Sequence, residues 1–292
     1  MTTRDFLIWL LLVPQLGLKG RLQLVSFVLA HHQGEELVPD KTVLSMLTRP
    51  ADAQAFKKWY YRQEWLPSWR KLKSYPCVTI LDAGYPKLLK EISQPPLVLF
   101  YQGDLTLIRE PTLAVVGSRQ LTRTSEVILK TWVPEFVQAG LTIVSGNARG
   151  ADACAHQVTL AQGGKTIAVL GTGLDQVYPK IHTRLQAQIS QQGLVLSEFL
   201  PWVGPKAWHF PLRNRIIVGL TLQVLVVQAS LKSGSLVSAA IALDENRDLW
   251  SIPGPINQVY YQGSNQLLAQ GAGMALCAND VIANRPLAWD SL

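Results

Sequence analysis

Cysteine is scarce in this chain of 292 residues, which contains only Cys77, Cys154 and Cys277. Their number is odd, and no two of them have the CxxC spacing. Both facts argue against a disulfide framework and against a zinc site. We therefore expect a cytoplasmic protein without a bound metal, because thiols stay reduced in that compartment.

Charged residues are also few, at 16% of the chain against roughly 25% in an average soluble domain. Hydrophobic residues make up 48%, which excludes a disordered protein and predicts one large or two smaller domains with a sizeable core. The charges are mostly basic and give a net charge of +7. Composition alone is compatible with plain solubility and with an anionic partner such as nucleic acid, phosphate or a membrane surface.

Long hydrophobic runs are missing from the N-terminus, where the most apolar segment is FLIWLLLV, residues 6–13. It is too short to span a bilayer, which takes about 20 apolar residues. Pro14 ends it, and no small-x-small cleavage site follows, as a signal peptide requires. We predict a buried helix here and no membrane partner.

The hydrophobic pattern changes along the chain. In residues 1–72, apolar positions recur at helical spacing, as in residues 22–29 and 43–47, which predicts a small helical domain. After that, continuous apolar runs alternate with helical segments, as in sheets whose two faces are both covered by helices. We predict a doubly wound, mostly parallel α/β sheet in a second domain, residues 73–292. The predicted strands are 98–102, 113–117, 141–146, 166–171, 194–198, 222–228 and 248–254, and the predicted helices are 123–139, 150–162, 180–192, 214–220, 234–246 and 263–271.

Aromatic and basic residues are interleaved in FKKWYYRQEWLPSWRKLKSYP, residues 56–76. Such a segment can form a stacking surface for single strands. We favour the alternative, in which a helix docks its Trp and Tyr side chains onto the next domain.

Ligands of doubly wound sheets bind beyond the carboxyl ends of the strands. After the first core strand stands Gly117-Ser118-Arg119, which lacks the GxGxxG pattern of a dinucleotide site. Gly117 permits close approach of a ligand, and the planar fork of Arg119 suits a phosphate. A tight turn with a solvated arginine is the equally weighted alternative.

The second core strand is followed by SGNARGADACAH, residues 145–156, where Ser145, Gly146, Arg149 and Gly150 lead into a helix. A helix N-terminus attracts anions, and Arg149 adds positive charge. Asp152 and His156 share a helix face and have the spacing of an acid–base pair. We favour a structural role for them, in which Asp152 bonds backbone N–H groups and satisfies the histidine.

Further bases follow the next strands. Gly171 and Gly173 form a second loop that permits close approach, and Lys180 starts the next helix, where it opposes the helix dipole unless an anion lies between them. Arg213, Asn214 and Arg215 are predicted to begin another helix; a pair of interdomain salt bridges is the alternative. Ser233, Gly234 and Ser235 form a donor-rich turn that suits a phosphate or serves as an N-cap. Residues 180–235 contain six lysines and arginines and one acidic residue, Glu198. This excess of positive charge after the strands predicts a phosphate site.

Nine segments carry a family resemblance. They are VVGSR, SGNARGADACAH, TIAVLGTGLDQVYP, LSEF, FPLRNRII, VLVVQA, SGSLVSAA, IPG and GSNQLLAQGA. In this order and spacing, from about residue 76 to 277, they resemble the DNA-processing protein A family (DprA, also called Smf). The helices around VPQLGLKG, residues 13–20, are similar to that family's small SAM-like domain.

The resemblance implies an extended Rossmann-like fold and a homodimer that is not an enzyme and needs no cofactor. Such proteins bind single-stranded DNA that enters the cell in natural transformation, protect it and help load the RecA recombinase. The family's basic pocket falls on Ser118 and Arg119, the SGNARG loop, the lysine after Tyr178-Pro179 and the Arg-Asn-Arg segment. The complete set of predicted DNA-binding residues is Gly117, Ser118, Arg119, Ser145, Gly146, Arg149, Gly150, Gly171, Gly173, Lys180, Arg213, Asn214, Arg215, Ser233, Gly234 and Ser235.

The chain departs from the family pattern at Asn147, Ala151, His182, Gln228, Ser238 and Ser264. At position 228 the family usually has glutamate, so Gln228 removes a negative charge near the predicted pocket, which either strengthens phosphate attraction or loosens an arginine's partner. The sequence ends soon after Ile282, and we expect no C-terminal winged helix.

Two other functions remain as alternatives. The first is a nucleoside-monophosphate-cleaving enzyme of related fold, which carries a PGGxGT segment with a following glutamate. Here that turn reads Lys232-Ser233-Gly234-Ser235, and the next glutamate is Glu245. The second is a sensor whose Rossmann-like pocket holds a free nucleotide.

Overall fold

The structure is a computed structural model that describes residues 2–14, 16–31 and 53–286. The helical pattern at 43–47 lies outside these residues. The chain forms two compact units, one comprising Met1–Tyr85 with Pro96–Leu99 and the other Pro86–Pro95 with Phe100–Leu292.

The first unit contains α1 (Thr3–Leu10), α2 (Leu18–His31), α3 (Ala53–Tyr61), α4 (Leu66–Leu72) and the short strand β1 (Cys77–Thr79). Helix α1 begins where the Thr2 hydroxyl accepts a hydrogen bond from the Asp5 N–H at 3.1 Å, as an N-cap does. Its apolar side chains Phe6–Leu10 are all buried, which confirms the predicted buried helix. Among the described residues, no helix combines the length and the apolarity needed to cross a membrane.

The aromatic segment at 56–76 packs inside this first unit. The Trp9 ring lies with its centre 5.8 Å from Trp59, 5.9 Å from Tyr60 and 6.1 Å from Trp65. These three rings pack around Trp9 within the same unit, whereas the favoured prediction placed the aromatic side chains of this segment against the next domain.

The sheet of the second unit has the strand order β2–β6–β5–β4–β3–β7–β8–β9. Its strands are β2 (Val98–Gly103, which begins in the first unit), β3 (Thr112–Val116), β4 (Thr142–Ser145), β5 (Thr166–Val169), β6 (Leu194–Ser197), β7 (Gln223–Val226), β8 (Asp248–Ser251) and β9 (Gly273–Met274). Neighbours pair in parallel except β2 and β6, which are antiparallel. Both the α/β class and the seven predicted strands are confirmed. The two-residue strand β9 was missed because so short a segment has no hydrophobic pattern.

Helices connect these strands. They are α5 (Lys87–Lys90), α6 (Arg123–Gln138), α7 (Ala151–Ala161), α8 (Thr183–Gln192), α9 (His209–Gly219), α10 (Gly234–Asp244), α11 (Gln262–Ala269) and α12 (Ala278–Ala283). A cluster of buried side chains, among them Leu113, Phe136 and Ile143, forms one core of this unit. Parallel strands covered in this way read as continuous apolar runs, which is why the sequence pattern located them.

Two helix starts differ from the prediction. Helix α9 begins at His209, five residues before the predicted start at 214, because Pro211 falls in its first turn, where a missing N–H costs no hydrogen bond. The segment predicted as one helix from residue 180 begins with a 3₁₀ turn at Lys180–His182 before α8.

Candidate functional site

A pocket of about 770 Å³ lies at the carboxyl ends of β3 and β7. The chain leaves β3 for β4 on one side and leaves β7 for β8 on the other, so the strand order reverses between these two strands. Crevices at such reversal points are where doubly wound sheets bind ligands. The connection after each of the two strands lines the pocket, together with the first turns of α9 and α10.

The pocket brings together half of the predicted DNA-binding residues. Its lining includes Gly117, Ser118, Arg119, Arg213, Asn214, Ser233, Gly234 and Ser235. The remaining predicted residues are not part of the lining; they are Ser145, Gly146, Arg149, Gly150, Gly171, Gly173, Lys180 and Arg215.

Arg119 is exposed on the connection after β3. The Gln228 side chain holds this connection: its Oε1 accepts hydrogen bonds from the Thr122 N–H at 2.9 Å and the Thr122 hydroxyl at 3.0 Å. The amide Nε2 of Gln228 donates to the Gln120 carbonyl at 2.9 Å. The departure at Gln228 is therefore a backbone-supporting amide beside Arg119, with bonds to the connection rather than to an arginine.

Helix α10 points its N-terminus at the pocket. The Ser233 hydroxyl accepts a hydrogen bond from the Ser235 N–H at 3.3 Å, so the N-cap alternative is correct for Ser233. The same residues also line the pocket. The positive end of the helix dipole therefore faces the pocket, which favours a bound anion.

Arg213 lines the floor of the pocket and is only 4% exposed. One of its terminal nitrogens donates to the Gly146 carbonyl at 2.5 Å and also bonds the Val169 carbonyl. Burial lowers the pKa of Arg213 to about 10, with the Asp152 carboxylate opposing that shift, so Arg213 keeps its charge at neutral pH. Its hydrogen bonds join the ends of β4 and β5, and its charge adds positive potential to the pocket.

Arg215 does not join the pocket. It forms a buried ion pair with Glu198, with one terminal nitrogen 2.6 and 2.5 Å from the two carboxylate oxygens. Successive residues of an α-helix are rotated by about 100°, so residues two apart point in nearly opposite directions. Since Arg213 and Arg215 both lie inside α9, one faces the pocket and the other faces away. The ion pair with Glu198 gives Arg215 a structural role, and its contact with DNA stays a prediction.

The strand-end glycines make room for the chain itself. A Cβ on Gly146 would lie 2.4 Å from a terminal nitrogen of Arg213, and one on Gly171 would lie 2.7 Å from the Phe210 ring. A Cβ on Gly173 would lie 2.0 Å from the Leu200 carbonyl oxygen. At these three glycines groups of the protein itself approach the backbone closely, and contact with a ligand there stays a prediction.

Two further predicted residues, Ser145 and Gly150, also contact the protein itself. The Ser145 hydroxyl is buried and donates to the Val115 carbonyl at 2.6 Å, which joins β4 to β3. Gly150 has a φ of +76°, and a Cβ there would lie 2.2 Å from the Ser118 carbonyl oxygen. Gly150 therefore lets α7 pack against the connection that carries Arg119. In contrast, Arg149 and Lys180 are exposed outside the pocket lining.

An aromatic wall was not predicted. The Phe210 ring lines the pocket, with the Arg119 guanidinium 5.6 Å from its centre and the Tyr178 ring 5.4 Å away. Tyr178 is 44% exposed and lines the pocket as well. An aromatic face next to a guanidinium is the arrangement on which nucleic-acid bases stack. The signal in the sequence was the Phe210-Pro211 pair directly before the arginines.

The charge of the lining is mostly positive. Lys206 and Lys232 are exposed lining residues that join Arg119 and Arg213. Among the described residues of the lining, Asp152 carries the single carboxylate. The pocket thus suits a ligand with several negative charges.

Asp152 and His156 are bound separately. An Asp152 oxygen accepts a hydrogen bond from the Ala148 N–H at 3.2 Å, as favoured from the sequence. Nδ1 of His156 pairs with the Thr166 hydroxyl at 2.7 Å, so its partner is Thr166 rather than the expected Asp152. Burial is the main cause that lowers the pKa of His156 to about 3, and burial raises that of Asp152. A neutral buried histidine bonded to a threonine is a structural group.

Two of the departures from the family pattern contact each other. Nδ1 of His182 lies 2.9 Å from the Asn147 carbonyl oxygen, and the Asn147 amide donates to Gln186 at 3.3 Å. Asn147 has a φ of +56°, a conformation that asparagine adopts more readily than branched residues. These residues form a buried polar cluster beneath the loop that leads into α7.

Comparison with known proteins agrees with the resemblance carried by the nine segments. The family model of DNA recombination-mediator protein A matches residues 76–286. DNA processing protein DprA of Streptococcus pneumoniae is 41% identical over 249 residues, which cover 85% of this chain and 87% of that protein.

Two solved structures are similar in fold. The X-ray structure of DNA processing protein A from Streptococcus pneumoniae superposes with a TM-score of 0.89 at 35% identity, covering 98% of this chain and 99% of that one. A structure of DNA processing protein A from Helicobacter pylori, which concerns its single-stranded DNA binding mode, superposes with a TM-score of 0.65 at 32% identity. That match covers 72% of this chain and 95% of the other. The α/β architecture described above is thus shared with proteins of this kind.

Proposed function

Since this chain belongs to the DNA recombination-mediator protein A family, we propose that it binds single-stranded DNA in the pocket between β3 and β7. The observation that carries the proposal is the joint presence of exposed cations, a helix N-terminus and an aromatic wall in one pocket. The single-stranded DNA binding mode of the Helicobacter pylori relative supports it.

The chemistry of binding follows from the lining. Arg119 and Lys232 neutralise phosphates inside the pocket and release the counterions bound to them. Backbone N–H groups at the N-terminus of α10 donate to a phosphate oxygen, and the helix dipole attracts its negative charge. Bases stack on Phe210, and since every base has an aromatic face, sequence preference is weak. No bond is made or broken in this mechanism, and we propose that the protein acts by binding rather than by catalysis.

A titration tests this proposal. Fluorescence anisotropy of an oligothymidylate of about 20 nucleotides, measured from about 50 to about 300 mM salt, gives the affinity and its dependence on salt concentration, the salt slope. We expect the logarithm of the binding constant to fall linearly with the logarithm of the salt concentration, with a slope of about −0.7 per phosphate contacted. Arg119→Ala should weaken binding and shrink the slope by roughly one phosphate's worth.

Arg109→Ala is the matched control for that titration. Arg109 is also exposed, but it precedes β3 and so lies at the opposite edge of the sheet from the pocket. If the two variants bind the oligonucleotide equally well, the pocket is not the DNA site.

The two alternatives predict a different ligand. A nucleotide sensor or a nucleoside-monophosphate-cleaving enzyme should be stabilised against heat by mononucleotides. Glu245, the glutamate nearest in sequence to the Ser233 turn, lies at the C-terminal end of α10 and accepts hydrogen bonds from Ser93. This placement disfavours the enzyme. Thermal shifts with mononucleotides alone, and none with oligonucleotides, would overturn the DNA proposal.

We further propose that the DNA-bound protein helps a RecA-type recombinase assemble on incoming DNA during natural transformation, which the recombination-mediator family supports. The expected result is faster recombinase assembly on oligothymidylate, measured by DNA-dependent ATP hydrolysis, and loss of this gain in Arg119→Ala. We also propose a homodimer, in which two pockets hold one strand with added avidity. Light scattering after size exclusion tests the dimer, and a mass of 32.3 kDa would contradict it.

We retain two proposals about the chain as a whole. Its three cysteines are free, which supports a cytoplasmic location. A SAM-like helical domain in residues 1–72 also stays a proposal.

A further inference from the structure

Trp208 is a large apolar side chain that stays 57% exposed beside the pocket. It stands directly before α9, and its ring meets the His209 ring edge-on, with centres 4.2 Å apart. His209 is itself fixed: it stacks on Phe199 at 4.0 Å, and its Nδ1 pairs with the Gly171 carbonyl at 3.0 Å. Trp208 is therefore an exposed ring on a rigid support.

Lys206 links this ring to the pocket. Its ammonium lies 6.0 Å from the centre of the Trp208 ring, and the residue belongs to the pocket lining. In the segment FLPWVGPKAWHFPL, residues 199–212, Lys206 is the one Lys, Arg, Asp or Glu, so no carboxylate in it repels a polyanion. A cation next to an exposed aromatic ring repeats, at the side of the pocket, the arrangement that Arg119 and Phe210 form inside it.

The size of the pocket makes a second subsite useful. A volume of about 770 Å³ is that of a small-molecule site, so a strand of many nucleotides extends beyond it. Phe210 lies within the lining and Trp208 outside it, with the inward-facing His209 between them. A strand that leaves the pocket past Lys206 meets the Trp208 ring next.

We propose that Trp208 and Lys206 form a second nucleotide subsite, in which a base stacks on Trp208 and an adjoining phosphate pairs with Lys206. The proposal rests on the proposed function and adds a prediction that the pocket alone does not make. Loss of Trp208 should matter for long strands and leave short ones unaffected.

The test compares two oligothymidylates, one of 3 and one of 20 nucleotides, by isothermal titration. Trp208→Ala should weaken binding of the long strand about 5- to 10-fold and change the short strand less than twofold. Trp208→Phe, which keeps an aromatic face, should restore most of the affinity. Arg119→Ala should weaken both lengths, because it removes a group of the pocket itself.

The outcomes separate this proposal from the proposed function. If Trp208→Ala binds the long strand like the parent while Arg119→Ala does not, the subsite is refuted and the pocket stands. Equal weakening of both lengths by Trp208→Ala would also refute the subsite, since it would place the ring's effect inside the pocket. If the parent protein binds neither strand, the function itself fails.

Lys206→Met provides a second route should Trp208→Ala fold poorly. It should lower the salt slope for the long strand by about 0.7, the value for one phosphate. An unchanged slope would refute the subsite independently.

Discussion

Gly146→Ala gives the sharpest test of how this pocket is built. The added Cβ would lie 2.4, 2.5 and 2.6 Å from three atoms of the Arg213 guanidinium, closer than any real contact. The guanidinium must therefore leave its place. The Gly146 and Val169 carbonyls then lose their donor, and the buried Asp152 loses its nearby positive charge. A hydrogen bond made by a charged group contributes about 1.5–3 kcal/mol, and we expect a destabilisation of about that size.

The assay is urea denaturation followed by circular dichroism. Gly234→Ala is the matched control, because a Cβ there meets nothing within 4 Å, so it should leave stability unchanged or raise it by up to about 1 kcal/mol. In an Arg213→Ala background the space is free, and the further change Gly146→Ala should cost less than about 1 kcal/mol. If Gly146→Ala is as stable as the parent but binds DNA poorly, the glycine admits a ligand, and our interpretation of Arg213 is wrong.

Three further predictions follow from the contacts and pKa shifts. Burial lowers the pKa of His156 to about 3, whereas the pKa of a histidine in the unfolded chain is about 6.5. Between these two values the unfolded state binds a proton that the folded state does not. The free energy of unfolding therefore falls as the pH drops below 6.5, by up to about 1.4 kcal/mol per pH unit. In urea denaturation at a series of pH values, His156→Gln should flatten this profile, and an unchanged slope would contradict the assignment. Arg215→Ala leaves the buried Glu198 carboxylate without its partner and should lower the free energy of unfolding by about 3–5 kcal/mol in the same assay. The folded variant should keep its affinity for DNA; a weakened affinity would show that Arg215 contributes to the DNA site. Phe210→Ala should lower affinity for oligothymidylate by about 5- to 100-fold in anisotropy titrations, and an unaltered affinity would rule out stacking on this ring.

Local pattern located the elements but not the directions of their side chains. The runs around Val115, Val144 and Val224 were predicted as strands because a sheet covered on both faces leaves no room for polar alternation. The start of α9 was misplaced because it was inferred from the arginines and not from Pro211, which fits a first helical turn.

In the site, too, the sequence predicted positions along the chain but not the directions of side chains. Arg119 and the Ser233 turn were predicted from their position after a strand, and they line the pocket because parallel strands end at one edge. Arg215 was grouped with Arg213 because the two are neighbours in sequence, and only the helix containing both separates them. Phe210 and Tyr178 were missed as a pair because Tyr178 precedes α8 and Phe210 lies in α9, far apart in the chain.

The sequence by itself determined the order of strands and helices, the positions where the backbone approaches another group closely, and the excess of bases at one edge. These follow from the period of apolar residues, from the missing side chain of glycine and from charge, all of which are local properties. Which group occupies the space at each glycine, and which arginine faces the pocket, was decided only by tertiary structure. Long-range packing sets the guanidinium of Arg213 against Gly146 and pairs Arg215 with Glu198, and no local pattern encodes such distances.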